Sequence, residues 1–144
     1  MEIKQLDNSR YQDAIALSLK VFTECGSDDF NAEGLETFKS FIYNDKLVNE
    51  LVIFGAFEND MLVGILATKE NGSHISLFFV DPTYHRKGIG RKLFEFIRIN
   101  QRAKRITVNS SSYAVKFYER LGFFKTAEKQ ESNGMRYTPM VATE

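Results

Sequence analysis

A chain of 144 residues, 43% of them apolar, is long enough to build one hydrophobic core without disulfides or a structural metal. Its 19 basic and 19 acidic residues cancel, which argues against a nucleic-acid binder working through bulk positive charge and counterion release. No apolar run approaches the roughly 18 residues that span a bilayer, the opening MEIKQLDNSR lacks the apolar stretch of a signal peptide, and the lone cysteine, Cys25, cannot pair within the chain, so no membrane association is expected and the expected address is the cytoplasm.

Ile3 and Leu6 fall in a short opening segment that reads as an edge strand. Asp7-Asn8-Ser9 offers a helix N-cap, and Ile15, Leu19 and Phe22 repeat behind it at helical spacing. Cys25 to Asp29 breaks that helix, and Leu35, Phe38, Phe41 and Ile42 mark a second. The period then changes. Leu51–Phe57 and Met61–Thr68 read as strands joined by a turn at Glu58-Asn59-Asp60. Asn71-Gly72 is a hairpin signal, because both residues tolerate positive φ. His74–Val80 (HISLFFV) is apolar almost throughout and is expected to be a central strand covered on both faces. A helix is expected from near Gly88, with Ile89, Leu93, Phe96 and Ile97 as its apolar stripe. Arg105–Val108 is a short strand, and Ser110 to Ser112 read as the cap of a helix carrying Ala114, Phe117, Tyr118 and Leu121, closed by Gly122. Phe123 onward reads as a hairpin split at Ser132-Asn133-Gly134. With no linker or repeat, residues 1–144 are expected to form a single α/β domain built on a mixed sheet.

One stretch carries chemistry. Between Val80 and Leu93 a buried strand ends, a basic loop with two glycines follows, and an amphipathic helix begins. The free N–H groups and positive dipole of a helix N-terminus make an anion site. Gly88 and Gly90 let a phosphate approach the backbone, while Arg86, Lys87, Arg91 and Lys92 concentrate positive charge there. A lone Gly-x-Gly would be an ordinary strand–helix turn; its place after a buried strand and the basic cluster point to an anion. A dinucleotide fingerprint fits less well, since it needs G-x-G-x-x-G and an acidic residue further on. The Gly-Lys-Ser/Thr of a Walker A loop is missing.

The segment resembles motif A of the GCN5-related N-acetyltransferases, Arg/Gln-x-x-Gly-x-Gly/Ala, with His85 at the usual Arg/Gln position. Asn109–Phe123 resembles that family's motif B through Tyr118, Glu119, Gly122 and Phe123. The resemblance covers essentially the whole chain. It implies an α/β fold with a mixed, mostly antiparallel sheet of about seven strands flanked by four helices, splayed between the fourth and fifth strands. It implies acetyl-CoA as co-substrate, with no metal. His85, Arg86, Lys87, Gly88, Ile89 and Gly90 would cradle the pyrophosphate, with Arg91 beside it. Phe78, Phe79 and Val80 would bind the pantetheine arm along the central strand, as an added strand does, and Asn109 would close the cleft. A homodimer is in keeping with the resemblance, though no sequence feature demonstrates one.

Tyr118 shares a helix face with core residues, yet it matches the family position of the acid that protonates the CoA thiolate. His74, six residues before Val80, titrates near neutral pH and matches the place of the Glu base in histone-type members. By the two-residue period of a strand it is expected on one face with Ser76, Phe78 and Val80. Glu24, Asp28 and Asp29 are rival bases or binders of a cationic acceptor. Cys25 has no visible activating partner for a covalent acetyl-enzyme. The expected function is transfer of an acetyl group from acetyl-CoA to a primary amine, small-molecule or peptide, in a ternary complex. The alternatives are a non-catalytic acyl-CoA-binding or sensor domain and a plain phosphate- or nucleotide-binding domain. Polyamine, aminoglycoside, amino acid and protein amine all remain open as acceptors.

Overall fold

The computed structural model describes residues 1–144. Its strands are β1 (Glu2–Gln5), β2 (Val52–Glu58), β3 (Met61–Lys69), β4 (His74–Val80), β5 (Arg105–Ser110), β6 (Phe124–Lys125), β7 (Gln130–Ser132) and β8 (Met135–Thr143). They form one sheet in the order β1-β2-β3-β4-β5-β8-β6, with β7 paired to β8 beyond β6. Every pairing is antiparallel except β4 with β5. The helices are α1 (Tyr11–Cys25), α2 (Ala32–Ile42), α3 (Asp45–Asn49), α4 (Ile89–Gln101) and α5 (Val115–Arg120). The expected mixed, mostly antiparallel sheet is therefore present, with the two-residue β6 and the one-turn α3 in addition. Elements that short carry too few residues to show a period. No helix is long and apolar enough to cross a membrane.

Both faces of the sheet are buried, which is why β2, β3 and β4 read as apolar runs rather than alternating ones. On one face Phe54, Leu66, Ile75, Ile106 and Val108 pack under α4 and α5, against Leu93, Phe94, Ile97 and Tyr118. On the other, Ile53, Ile65, Ala67 and Leu77 meet Ile15, Leu17 and Val21 of α1 and Phe38 and Ile42 of α2. Each fully buried Leu or Ile of this kind contributes about 1.5–3 kcal/mol relative to exposure.

The alternation along β4 is interrupted. Leu77 pairs with Ala67 and Ile75 with Thr68, so Ser76 has no partner. An extra residue in one strand shifts all that precedes it to the opposite face. Ile75 thus joins the core containing Phe78 and Val80. His74 therefore lies on the other face, not in step with Phe78 and Val80 as simple alternation predicts.

The β7–β8 turn is docked onto α2 by two glycines. A Cβ on Gly34 would lie 2.2 Å from the Gly134 carbonyl oxygen, and one on Gly134 would lie 2.3 Å from the Gly34 nitrogen. Asn31 caps α2 by accepting from Gly34 N–H (3.0 Å), while its own N–H donates to the Gly134 carbonyl (3.1 Å). The Thr37 hydroxyl donates to the Asn133 carbonyl (3.0 Å). The obstacle is backbone and cannot rotate away. Gly34→Ala is therefore expected to lower stability by about 1–3 kcal/mol, the usual cost of overpacking, read as an earlier urea midpoint. An unchanged midpoint would show that the turn is not held by this contact.

Candidate active site

β4 and β5 pair only at His74–Thr107 and Ile75–Val108. Beyond these pairs the strands part: β4 continues to Val80 bonded to β3, and β5 continues to Ser110 bonded to β8. The Asp81 N–H donates to the Val63 carbonyl of β3 (2.8 Å). By alternation, Phe79 and Leu77 also direct their backbone groups at β3, whereas Phe78 and Val80 direct theirs into the gap. The Val80 carbonyl already accepts from His85 Nε2–H at 2.6 Å.

The gap leads to the loop after β4. Asp81 caps its first turn, accepting from the Thr83 N–H (3.0 Å) and hydroxyl (2.8 Å) through Oδ1, while Oδ2 binds Lys20 Nζ of α1 at 2.9 Å. The Lys20 bond, with those from Thr83, holds the Asp81 carboxyl below its ordinary range. Arg86 (φ 64°) and Gly88 (φ 80°) are both left-handed, flanking Lys87. Such alternation turns successive N–H groups toward one point, a concavity suited to an anion. The backbone N–H groups from Arg86 to Arg91 find no acceptor in the protein, and the first helical bond is Lys92 N–H to the Gly88 carbonyl. Arg86, Lys87, Arg91 and Lys92 are exposed around them. Arg91 also reaches the Arg120 carbonyl at the end of α5 (3.2 Å). The two glycines differ. A Cβ on Gly88 would meet nothing, whereas Gly90 is buried and its Cβ would lie 2.7 Å from Phe117 Cζ. Gly90 is thus a packing glycine between α4 and α5, not the solvent-facing residue that the loop pattern suggests.

Where the strands separate, a cavity of about 410 Å³ opens. Its lining includes His74, Ser76, Phe78 and Phe79 of β4 and Asn109 of β5, with Tyr113 and Tyr118 before and within α5. Phe22, Asp29 and Phe38 come from α1, α2 and their junction, and Met135, Arg136 and Tyr137 from β8. The Tyr118 ring is wedged edge-on among Phe78 (5.9 Å), Phe117 (5.6 Å) and Phe123 (5.2 Å). Its hydroxyl makes no bond to the protein, yet no sealed-off side-chain oxygen lacks a partner, so this hydroxyl opens to the cavity. Burial raises its phenol well above the ordinary value.

His74 Nδ1 lies 2.7 Å from Thr107 Oγ1, and the Thr107 hydroxyl is placed to donate to the Ser73 carbonyl at 3.3 Å. A hydroxyl has one proton. With it on Ser73, the Thr107 oxygen accepts from Nδ1–H, and this network assigns the lone pair to His74 Nε2. Burial first, then Lys69, lowers the His74 pKa, with Glu70 opposing them. Tyr113 is half exposed, but its hydroxyl end is desolvated and near Cys25 and Asp29, and it is pushed up to about 12. Burial, then Glu24 and Asp81, raise the Cys25 thiol.

The structure brings His74, Phe78, Phe79, Asn109, Asp29 and Tyr118 to one cavity, with Val80 and the loop from His85 to Arg91 running from its edge. Glu24 and Asp28 are exposed and do not line it. Asp29 is buried and committed, its two oxygens accepting from the Ser112 N–H (2.7 Å) and hydroxyl (2.6 Å). The Ser110–Ser112 run therefore bonds sideways to Asp29; neither Ser111 nor Ala114 caps a turn with its side chain. Thr107, Tyr113 and the Phe22–Phe38 stack lay outside the sequence reading, since only the sheet register and helix packing bring them to the site.

The family model for the acetyltransferase (GNAT) domain matches residues 27–144. An uncharacterized N-acetyltransferase of Escherichia coli K12, YafP, is 26% identical, with 96% of this chain and 97% of that protein covered. A GCN5-related N-acetyltransferase from Rhodopseudomonas palustris superposes with a TM-score of 0.84 at 18% identity, covering 99% of this chain and 95% of that one. The PaiA N-acetyltransferase of Thermoplasma acidophilum, solved in complex with coenzyme A, gives 0.79 at 20% identity, covering 99% and 98%.

A His74 pKa below the ordinary value of about 6.5 has a definite sign. The unfolded chain binds the proton first, so His74 favours folding less as pH falls through about 6.5, and contributes no pH dependence above it. NMR titration of the imidazole is expected to give a midpoint below 6.5. His74→Gln is expected to lose less stability than wild type between pH 7 and 5. A midpoint at or above 6.5 would contradict the buried, bonded imidazole.

Proposed function

The chain belongs to the acetyltransferase (GNAT) domain family, and from that premise we propose that residues 1–144 act as one domain that moves an acetyl group from acetyl-CoA to a primary amine, by direct attack in a ternary complex. The lone Cys25 leads us to place this activity in the cytoplasm. The observation that carries the reading is the open edge of β4, which runs directly into a loop of unpartnered N–H groups. An extended arm of amides ending in phosphates fits such a track: strand-like bonds to Phe78 and Val80, then anion binding at Arg86–Arg91. A binding-only domain needs that track but has no use for a desolvated imidazole and a free phenol in the adjoining cavity.

Acetyl-CoA, when bound, supplies an acetyl thioester whose leaving group is a thiolate. His74 Nε2, neutral at physiological pH, would take a proton from the incoming ammonium, directly or through a water. The freed nitrogen forms the C–N bond as the C–S bond breaks. The outward N–H groups of β4 would polarise the carbonyl. Tyr118 keeps its proton because burial raises its phenol, and it would donate to the departing sulfur. The nitrogen sheds its second proton to water as the amide forms, His74 passes its proton to solvent and the Tyr118 phenolate recovers one, so the transfer releases one proton overall.

Tyr118→Phe keeps the ring among its three neighbours and deletes only the donor. It is expected to lower kcat roughly 10- to 1000-fold with little change in the KM for acetyl-CoA; wild-type turnover would return Tyr118 to the core. Gly88→Asp places negative charge where no neighbouring atom is in the way, at a left-handed position (φ 80°) that strains any L residue, so Gly88→Asn, equally strained but uncharged, is its control. Calorimetry should show loss of CoA affinity by at least about 100-fold in a protein that still folds, and an unchanged affinity would remove the anion-loop assignment.

A further inference from the structure

Every charge at the acceptor end of the cavity can be accounted for. Asp29 is its one carboxylate, 6% exposed, with both oxygens accepting from Ser112. Those bonds come from neutral donors, and no cationic side chain lies within ion-pair distance of it. They fix the carboxylate in place without cancelling its charge. Glu24 and Asp28, the other acids of that loop, lie outside the lining. Arg136 alternates with Met135 and Tyr137 along β8, so its side chain falls on the opposite face, beside Glu131 across the hairpin. The side chains that face the cavity therefore bring one fixed negative charge and no positive one. One ammonium balances it. A second ammonium would be desolvated without a counter-charge, and a substrate carboxylate would meet a like charge.

The surface left for the rest of the ligand is apolar. Phe22, Phe79, Met135 and Tyr137 line the cavity and are only part-buried. Phe22 is stacked between Phe30 (4.5 Å) and Phe38 (3.9 Å), and Phe38 meets Phe79 edge-on at 6.0 Å. Rings locked against one another need no ordering when a ligand arrives. Open apolar area of this kind inside a cleft suits an apolar body. Ser132 and Asn133, at the tip of the β7–β8 hairpin, line the same end. The hairpin is pinned to α2 by the Gly34–Gly134 backbone contact and to the α1–α2 junction by a bridge between Phe30 and Met135. A polypeptide running through this end would have to break those contacts.

We propose that the acceptor is a small primary monoamine on an aromatic or similarly apolar body without a carboxylate. Polyamines, aminoglycosides, amino acids and lysines within a protein chain are then poor acceptors. The body lies against Phe22 and Phe79, and the amine, the only charge the substrate brings, lies toward His74. This assignment rests on the N-acetyltransferase reading. It concerns only which amine is taken.

The test uses the full chain, acetyl-CoA and release of free thiol. Benzylamine, phenethylamine and tyramine are compared with ethylamine, which lacks the ring. Their counterparts (aminomethyl)benzoate, phenylalanine and tyrosine add the carboxylate, and spermidine, an aminoglycoside and a lysine-bearing peptide complete the panel. The ring should raise kcat/KM about 10- to 100-fold over ethylamine, what burying one aromatic group contributes. Each carboxylate should lower it, and the polycations and the peptide should be poorer than any ring-bearing monoamine. Phe22→Gln, at a part-buried helix position, should shrink the ring preference by at least about fivefold, whereas Phe22→Leu, still apolar, should keep it. The preference is a ratio of two substrates on one sample, so it does not depend on how much of a variant is folded. The proposal falls if ethylamine matches the ring-bearing amines, if a carboxylated amine, a polycation or the peptide is the best acceptor, or if Phe22→Gln leaves the ratio as it was. If CoA binds by calorimetry but no amine releases thiol, the transferase reading itself fails and takes this one with it; thiol release with polycations or the peptide alone overturns only the acceptor class.

Discussion

Buried backbone N–H and C=O groups in a sheet are almost always paired, and the site depends on one stretch where the sheet leaves them unpaired: β4 beyond Ile75, on the side of β5. The two strands do not close because each is tied on its far side. β4 is bonded to β3 up to Val80, and β5 to β8 along its whole length from Arg105 to Ser110. Tyr118 and Phe117 stand against Phe78 at the open end, and the Asp29–Ser112 bonds fix the chain leaving β5 to the α1–α2 junction. Within the protein only the Val80 carbonyl gains a partner, from His85. The remaining groups form a ready strand edge, and a ligand with peptide-like amides is the natural complement.

A single unpaired residue then decides which chemistry faces which side. Ser76 lies just above the last β4–β5 pair. Without it, His74 would share a face with Phe78 and point under α4 and α5; with it, Ile75 enters that core and the imidazole turns toward α1, α2 and the β7–β8 hairpin. Thr107, flanked by the core residues Ile106 and Val108, turns to the same side and meets Nδ1. The hairpin is held in place by the backbone contact of Gly34 with Gly134, so a pair of glycines on one side and a bulge on the other set the shape of the acceptor wall.

Much of this was legible in the chain. His74–Val80 is apolar at five of its seven positions because a core packs on each face of the sheet, and its predicted limits coincide with β4. The loop proposed to bind an anion was legible because its signals are local, glycines and a helix start. The rest depends on contacts between residues distant in sequence. The face of His74 depends on a register shift against β3, which alternation along β4 does not reveal. Asp29 looked available for a cation because its partner, Ser112, lies far along the chain. Gly90 leaves its N–H unpartnered as Gly88 does, but the reason it has no room for a side chain, the Phe117 ring, belongs to a later helix. Phe22 and Phe38 were read as core stripes of two helices. They are that, and by stacking they also become the floor of a cavity.

The arrangement also separates the two proton transfers of the proposed reaction. Tyr118 belongs to the core under α4 and α5, whereas His74 and Thr107 lie on the opposite face, and the gap between β4 and β5 connects the two. In the proposed reaction an ammonium entering along the aromatic wall would meet the imidazole before the thioester. A departing thiolate would, on the same proposal, emerge on the side of the Tyr118 phenol. Were both groups on one face, the base could take the proton meant for sulfur, and the sheet would offer nothing to keep them apart. On the proposed reading, strand separation would do more than hold the acyl donor: it would let an amine and a thioester approach from opposite sides of a layer only one strand thick, each facing the group proposed to exchange a proton with it.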